Sequence, residues 1–258
     1  MTDVSADSLR KFHTTEGADV SVVILPHAGG AASYYYSLSE ALSKHFQVFA
    51  VQYPGRHDRR RESMPRELQT LARDIHAEIE QRAPGQVVLL GHSMGSVLAY
   101  EIASRWSDSE SARLLGLFVS ARVAPSVEWK IPDVRSANAA IAEMKALGGT
   151  DMRVLADSEF LTAALDVMRM DYRLLADYQR DLDAVTDHAI DYPIYALAPD
   201  SDERAPVAAM ARWAQHTSRF DLRTFAGGHF YINDRIDEVV DYLRTSILSE
   251  VSSIGTQP

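Results

Sequence analysis

The sequence predicts an α/β fold in which a mainly parallel central sheet is covered by helices on both faces. Two observations lead to this prediction. Short apolar or β-branched runs bounded by turn residues recur along the chain, as buried strands do. Segments with helical spacing of apolar residues lie between these runs, and strands that alternate with helices form parallel sheets. The chain has 258 residues, so we expect residues 1–258 to form a single domain with its own core.

Six runs are the expected strands, and helices fill the connections between them. The strands are residues 20–25, 47–51, 86–90, 114–119, 194–197 and 220–225. The clearest helical patterns place apolar side chains three or four residues apart. They run from Leu68 to Ile79, ahead of a Pro-Gly stop, and from Ile236 to Ile247 near the end of the chain.

The stretch from residue 126 to residue 186 interrupts this alternation. It offers no strand pattern over roughly sixty residues, although a crossover between parallel strands needs only about a dozen. We therefore predict a helical insertion, 126–186, within the domain. It contains four of the eight methionines, at 144, 152, 168 and 170. Two interpretations stay open: helices that only pack on the core, or a movable lid with an adaptable surface for an acyl chain.

Composition excludes several classes of protein and site. The formal net charge of −10 disfavours nucleic acid, because its phosphates would meet a protein of the same sign. There are no cysteines, which rules out disulfides, thiolate metal sites and a catalytic thiol. The first twenty residues contain no apolar run, so we expect no secretory signal, no membrane anchor and a cytoplasmic location.

The motif Gly91-His92-Ser93-Met94-Gly95 supplies the expected nucleophile. It matches G-x-S-x-G, follows a predicted buried strand and precedes a helix-forming segment, as on a sharp strand-to-helix turn. Glycines on both sides let neighbouring backbone pass closely. The helix N-terminus then directs free N–H groups toward developing negative charge. The sequence therefore predicts an α/β-hydrolase fold with Ser93 as the nucleophile.

The base and the acid are expected after the last two strands, because triad residues in this fold follow the chain order Ser, acid, His. His229 comes directly after the last predicted strand, in a loop freed by two glycines. We expect His229 to be the general base. The preceding strand ends at Asp200 and Asp202. Either carboxylate could orient the histidine, and the other would be a turn residue.

The loop after the first strand, from Pro26 to Gly30, is similar to the H-G-G-G type of loop in lipases and esterases. Such a loop supplies one backbone donor of an oxyanion hole. The expected pair of donors is the N–H of Ala28 and the N–H of Met94. An ordinary glycine-rich turn is the alternative.

A basic segment lies at residues 56–66, with five arginines and two acidic residues in an otherwise acidic chain. One interpretation is a solvated loop, since isolated surface charges contribute little. The other is contact with a phosphorylated or acidic partner, which complementary charge would favour.

Together these motifs resemble those of the type II thioesterases that accompany polyketide synthases and nonribosomal peptide synthetases. The resemblance spans most of the chain and rests on four blocks, P-H-A-G-G from residue 26, Y-P-G-R from 53, G-H-S-M-G from 91 and G-G-H-F from 227, together with Trp213. In that family the triad acid precedes a tryptophan by about the interval from Asp202 to Trp213. The resemblance therefore implies Asp202 as the acid, although Pro199 replaces a glycine of the family's pattern.

The resemblance implies hydrolysis of acyl groups from the phosphopantetheine arm of an acyl or peptidyl carrier protein, which clears stalled units in polyketide or nonribosomal peptide biosynthesis. No cofactor and no metal are expected, because the phosphopantetheine belongs to the substrate. The expected partners are the carrier protein and its small acyl thioester, without nucleic acid or membrane. Two alternatives stay open: a carboxylesterase or lipase, since fold does not fix substrate, and a non-catalytic binding protein that keeps the fold.

Overall fold

A seven-stranded sheet organises the chain in the computed structural model, which describes residues 7–15, 17–109, 111–147, 158–180 and 189–254. The strand order is β1-β3-β2-β4-β5-β6-β7, and every pairing is parallel except that of β1 with β3. The six predicted strands are confirmed. The bounds are β1 (Leu9–Arg10), β2 (Val20–Leu25), β3 (Gln47–Val51), β4 (Gly85–His92), β5 (Ala112–Ser120), β6 (Ile194–Pro199) and β7 (Phe220–Phe225).

Eight α-helices fill the connections in the described parts of the chain. They are α1 (Tyr36–Leu42), α2 (Leu68–Arg82), α3 (Met94–Ala103), α4 (Ala137–Leu147), α5 (Ser158–Arg180), α6 (Val207–Met210), α7 (Tyr231–Asp234) and α8 (Ile236–Ile254). Both predicted helices are present as α2 and α8. Of the helices described, none has the length and apolar character that crossing a bilayer demands.

Two apolar layers cover the sheet, one on each face. Successive side chains of a strand point to opposite faces, so Val23 packs with α2 and α3 while its neighbour Val22 packs with α1 and α8. Every residue of β2 is buried, as expected for a central strand covered on both sides. This burial explains why β2, β3 and β4 read as nearly continuous apolar runs.

The sequence pattern missed β1, a strand of only two residues. Leu9 and Arg10 pair antiparallel with Val51 and Ala50 at the edge of the sheet. Glu78 of α2 accepts hydrogen bonds from the backbone N–H groups that begin this strand. A contact so short and so distant in sequence leaves no periodic signal.

The described residues between β5 and β6 form α4 and α5, where the helical insertion 126–186 was predicted. Residues 148–157 and 181–188 of that range lie outside the described residues. The first half of α5 packs with α4 in a small apolar cluster that contains Leu165 and Met168. Its second half, including Leu174, Leu175 and Tyr178, packs into the main core. The insertion is thus continuous with the core at one end of α5, and its role as a lid stays a prediction.

The sheet order brings two loops together at its centre. The neighbours β2 and β4 have β3 on one side and β5 on the other, so the chain winds in opposite directions from this pair. Ligands bind in the crevice at the carboxyl ends of strands where the order reverses in this way. The loop after β2 begins at Pro26, and the turn after β4 is centred on Ser93.

Candidate active site

Ser93 lies on a strained turn between β4 and α3. Its φ and ψ are 54° and −115°, a combination that residues other than glycine rarely adopt. A Cβ atom at Gly91 would lie 2.2 Å from the carbonyl oxygen of Gly95, and one at Gly95 would lie 1.9 Å from that of Leu25. Gly95 therefore lets the turn fit against the end of β2, and Gly91 lets the end of β4 pass the first turn of α3.

His229 follows β7 and meets Asp202, which follows β6. Nδ1 of His229 lies 2.7 Å from Oδ2 of Asp202, and both side chains are buried. An ionised carboxylate only accepts hydrogen bonds, so this contact places a proton on Nδ1. The other carboxylate oxygen, Oδ1, accepts the backbone N–H of Arg204 at 2.8 Å. Nε2 is therefore the ring nitrogen available for proton transfer.

Asp200 has different neighbours. It is exposed, and its Oδ1 accepts the N–H of Gly227 at 3.0 Å and the hydroxyl of Ser201 at 2.7 Å. These bonds, that from Gly227 foremost, hold the pKa of Asp200 below its usual value. Of the two carboxylates that the sequence left open, Asp202 contacts the histidine, and Asp200 fastens the loop that carries it.

Ser93 and His229 line one small cavity of about 10 Å³. That volume holds roughly one water molecule. Besides Ser93 and His229, its walls are Ala121, Arg122, Trp129, Glu143, Tyr172 and Arg204. The structure thus brings Ser93, His229 and Asp202 to one end of the sheet, in a space too small for an acyl chain.

Two backbone segments beside Ser93 carry the N–H groups expected to bind an oxyanion. Met94 is the first residue of α3, and the first N–H groups of a helix have no intrahelical acceptor. Ala28 lies in the loop after β2, which turns sharply at Gly29, whose φ is 79°. The N–H of Gly30 closes this turn on the carbonyl of His27 at 2.9 Å. The two predicted donors therefore lie at the ends of adjacent strands.

Two further histidines lie near His229. The ring centroid of His92 is 5.3 Å from that of His229 and 6.0 Å from that of His27. The ring of His92 shares a 2.9 Å hydrogen bond with the hydroxyl of Ser120, and that of His27 shares one with Tyr35. Burial, more than the neighbouring histidines, lowers the pKa of His27 to about 3 and the pKa of His92 well below its usual value. Both rings are therefore neutral near pH 7 and add no positive charge beside His229.

Sequence reasoning missed most of the cavity walls. The guanidinium of Arg122 stacks over the ring of Trp129 at 3.8 Å. Burial lowers the pKa of Arg122 to about 10, and within the described part of the chain its Nη1 has no hydrogen-bond partner. Glu143 pairs with Arg204 and accepts the hydroxyl of Tyr172 at 3.3 Å. These residues come from separate segments without a motif, so only the fold reveals that they meet.

The basic segment 56–66 is not one exposed patch. Arg56 is buried and pairs with Asp171 of α5, while Arg59 is buried and pairs with Glu62. These two arginines belong to the interior, which the charge pattern alone could not show. Exposed arginines remain at positions 60, 61 and 66.

Three comparisons with known proteins agree on one family. The thioesterase domain family matches residues 21–247. Thioesterase PikA5 of Streptomyces venezuelae is 38% identical over 243 residues, which cover 93% of this chain and 85% of that protein. The structure is similar to that of BorB, the type II thioesterase from the borrelidin biosynthetic cluster, with a TM-score of 0.79, 34% identity and coverage of 94% of this chain and 98% of the other. It is also similar to RedJ, a thioesterase from the prodiginine biosynthetic pathway in Streptomyces coelicolor, with a TM-score of 0.78, 30% identity and coverage of 89% and 86%.

Proposed function

The chain belongs to the thioesterase domain family and is a type II thioesterase, and from this premise we propose that Ser93, His229 and Asp202 release acyl groups from the phosphopantetheine arm of acyl or peptidyl carrier proteins. The observation that carries the proposal is the buried 2.7 Å contact between His229 and Asp202, beside a serine on a strained strand-to-helix turn. Such a turn, followed by a helix N-terminus, exposes the serine for nucleophilic attack.

Acylation begins when the hydroxyl oxygen of Ser93 attacks the carbonyl carbon of the thioester. The serine proton passes to Nε2 of His229, and Asp202 stabilises the imidazolium through the hydrogen bond from Nδ1. The tetrahedral intermediate collapses with cleavage of the carbon–sulfur bond. The pantetheine thiolate leaves and takes up the proton, and the acyl group remains on Ser93. A thiolate is a weaker base than an amine, so leaving-group protonation contributes less than it does in a protease.

Deacylation repeats the sequence with water as the nucleophile. His229 removes a proton from water as the water attacks the acyl-enzyme carbonyl, and Ser93 recovers that proton as it leaves. The free carboxylic acid is the product. The N–H groups of Ala28 and Met94 bind the oxyanion in both halves, where one such donor is worth about 3 kcal/mol. Every group in these steps is supplied by the chain, the substrate or water.

The two histidine rings next to His229 are uncharged in the folded protein. The adjacent rings of His27 and His92 carry no charge near pH 7, because burial lowers the pKa of each. A cationic neighbour would oppose formation of the imidazolium that the first step requires. These two rings add no such opposition, although the guanidinium groups of Arg122 and Arg204 lie in the wall of the same cavity.

Entry of substrate requires side chains of the insertion to move. The cavity at Ser93 is about 10 Å³, whereas drug-sized ligands occupy pockets of roughly 300–1,000 Å³. Trp129, Glu143 and Tyr172 close it, and all three lie within the insertion. We infer that Trp129 and Glu143, with their segments, shift to admit the acyl group and close again to exclude water.

The test of the function is release of free thiol from an acyl-loaded carrier protein, for the wild type and for Ser93→Ala. We expect fast release by the wild type and loss of release in the variant. A p-nitrophenyl ester of the same acyl group is measured in parallel. Slow release from the carrier beside rapid ester cleavage would identify a general esterase. Failure of a fluorophosphonate to label Ser93 in the folded protein would instead support a non-catalytic binding protein.

A further inference from the structure

Asp171 of α5 is a buried carboxylate that no step of the proposed mechanism uses. Its side chain is 0% exposed. Its Oδ2 accepts the backbone N–H of Gly29 at 2.7 Å and pairs with the guanidinium of Arg56. Arg56 in turn donates from Nε to the carbonyl oxygen of Gly30 at 2.7 Å and from Nη1 to that of Pro54 at 2.9 Å. One ion pair therefore holds a loop after β2 and a loop after β3 against α5.

The ion pair holds two peptide groups that follow Ala28, one at the N–H of Gly29 and the other at the carbonyl of Gly30. The N–H of Gly29 is fixed by the carboxylate, and the carbonyl of Gly30 is fixed by the guanidinium. Catalysis by an oxyanion hole depends on donors held in place before the reaction begins. Displacement of a catalytic group by a fraction of an ångström is enough to lower the rate. The contacts of Asp171 thus act one residue from a proposed donor.

Neighbouring side chains of α5 pack against the same loops. The Cβ atom of Met168 lies 3.8 Å from where a Cβ of Gly29 would be, and the Cε atom of Met170 lies 3.0 Å from the corresponding point at Gly55. The contact at Gly29 is an ordinary van der Waals contact, whereas that at Gly55 leaves little room for a side chain. The helix and the two loops therefore form one packed unit around the ion pair.

Stability alone does not account for a carboxylate at this position. A buried ion pair is often no more stabilising than apolar side chains of similar volume. Burial also raises the pKa of Asp171, and its Oδ1 has no hydrogen-bond partner among the residues that the structure describes. What an apolar side chain could not do is accept the N–H of Gly29 and orient Arg56 toward Gly30.

We propose that Asp171 is a positioning residue that fixes the oxyanion loop, so that a competent oxyanion hole forms only while this part of α5 is docked on the core. The proposal rests on the proposed role of Ala28. The insertion then has a fixed part and a part that moves. The segment of α5 around Asp171, which includes Tyr172, stays in place during turnover, and substrate enters by movement of the walls around Trp129 and Glu143.

The test compares Asp171→Ala and Asp171→Asn with Asp166→Asn, a matched control on the same helix whose carboxylate is exposed and pairs with Arg169. The substrate is a soluble acyl-N-acetylcysteamine thioester, which needs no carrier protein. We expect kcat to fall about 10- to 100-fold in Asp171→Ala, part of the loss of a whole oxyanion donor, with KM within about threefold of the wild type. Asp171→Asn should fall less far, and the control should match the wild type.

A second measurement separates positioning from a general structural role. A boronic acid forms a tetrahedral adduct on serine, so its affinity should fall by the same factor as kcat if the oxyanion loop is displaced. Loss of kcat with unchanged boronate affinity would overturn the proposal, and so would a rise in KM alone. If Asp171→Ala does not fold, Asp171→Asn combined with Arg56→Gln leaves no unpaired charge. Wild-type kcat in that double variant would also overturn it.

Failure of the proposed function is distinguishable from failure of this inference. A wild type that ignores acyl-carrier protein but hydrolyses the soluble thioester would remove the carrier substrate and leave the Asp171 comparison intact. If the soluble thioester is also a poor substrate, the rate of fluorophosphonate labelling of Ser93 replaces kcat. That reaction also builds negative charge in the oxyanion hole, so the same loss is expected for Asp171→Ala and none for Asp166→Asn.

Discussion

Replacing Asp202 with asparagine tests its proposed role as the triad acid, and Asp200 serves as the comparison. The structure determines how the new amide would be oriented. Oδ1 of Asp202 accepts the N–H of Arg204 at 2.8 Å, and only the amide oxygen could keep that bond. The NH₂ group would therefore face Nδ1 of His229, 2.7 Å away.

A donor at that position reverses the tautomer of the imidazole. Nδ1 would have to accept, which moves the proton to Nε2 and leaves no lone pair there to take the proton of Ser93. In the best-studied triad this exchange lowers kcat about 10⁴-fold while the geometry is preserved. We expect a loss of about 10³- to 10⁴-fold here, equivalent to about 4–5.5 kcal/mol of activation free energy.

The assay is thiol release from a soluble acyl thioester at pH 7.5, with Asp200→Asn as the matched control. Asp200 is exposed and bonds to Gly227 rather than to the imidazole, so its variant should keep kcat within about fivefold, an effect of about 1 kcal/mol. Thermal unfolding of both variants checks that each is folded. Equal losses in the two variants, or less than a tenfold loss in Asp202→Asn, would refute the assignment of roles.

Three further predictions follow from the packing, the exposed charges and the buried histidines. Gly95→Ala should destabilise the fold by at least about 3 kcal/mol, because the new Cβ would lie 1.9 Å from a carbonyl oxygen of β2. The control Gly228→Ala should unfold near the wild-type temperature, because no described atom lies within 4 Å of its new Cβ. Similar unfolding temperatures for the two variants would contradict this prediction. Changing the exposed arginines at 60, 61 and 66 to glutamate should raise KM for acyl-carrier protein severalfold at low salt and little at high salt, while KM for a soluble thioester stays unchanged. If the effect of these changes on KM for the carrier protein did not depend on salt, an acidic partner would be excluded. The pKa of His92 lies well below its usual value in the folded state, so below about pH 6.5 the unfolded chain binds a proton at this ring and the folded chain does not. The urea midpoint of unfolding should therefore fall from pH 7.5 to pH 5, with a smaller fall in His92→Gln. Equal falls in both proteins would exclude this histidine as the cause.

The sheet and the loops at its end could be predicted because their causes are local in sequence. Buried parallel strands such as β2 are apolar on both faces, so they form unbroken runs whatever covers them. Ser93 and His229 belong to short motifs that a turn requires, with glycines where a Cβ would collide. Asp202 was harder to identify, because two carboxylates end β6 and only the three-dimensional path of the loop decides which one meets His229.

Contacts between distant segments could not be predicted in the same way. Arg56 reads as one charge in a basic run, yet it is buried against Asp171, 115 positions further along the chain. Arg56 ends the Y-P-G-R block, but nothing in the sequence connects that block with Asp171, since Asp on a helix is usually solvated. Charge counted along the sequence therefore overestimates exposed charge wherever a fold pairs residues internally. The apparent patch at 56–66 shrinks from five arginines to three for this reason.

The residues that the sequence predicts lie at the end of the sheet, and those that it does not predict lie mainly in the insertion. The sheet supplies the reacting groups, whose geometry tolerates little variation because proton transfer needs contacts of about 3 Å. The insertion supplies Trp129, Glu143 and Tyr172, which line the small cavity beside Ser93, and none of the three belongs to the proposed triad. We therefore expect substrate preference to depend mainly on α4, α5 and the segment before them. Exchanging these walls between family members should change the preferred acyl chain and leave the triad intact, provided that Asp171 and its contact with Gly29 are kept.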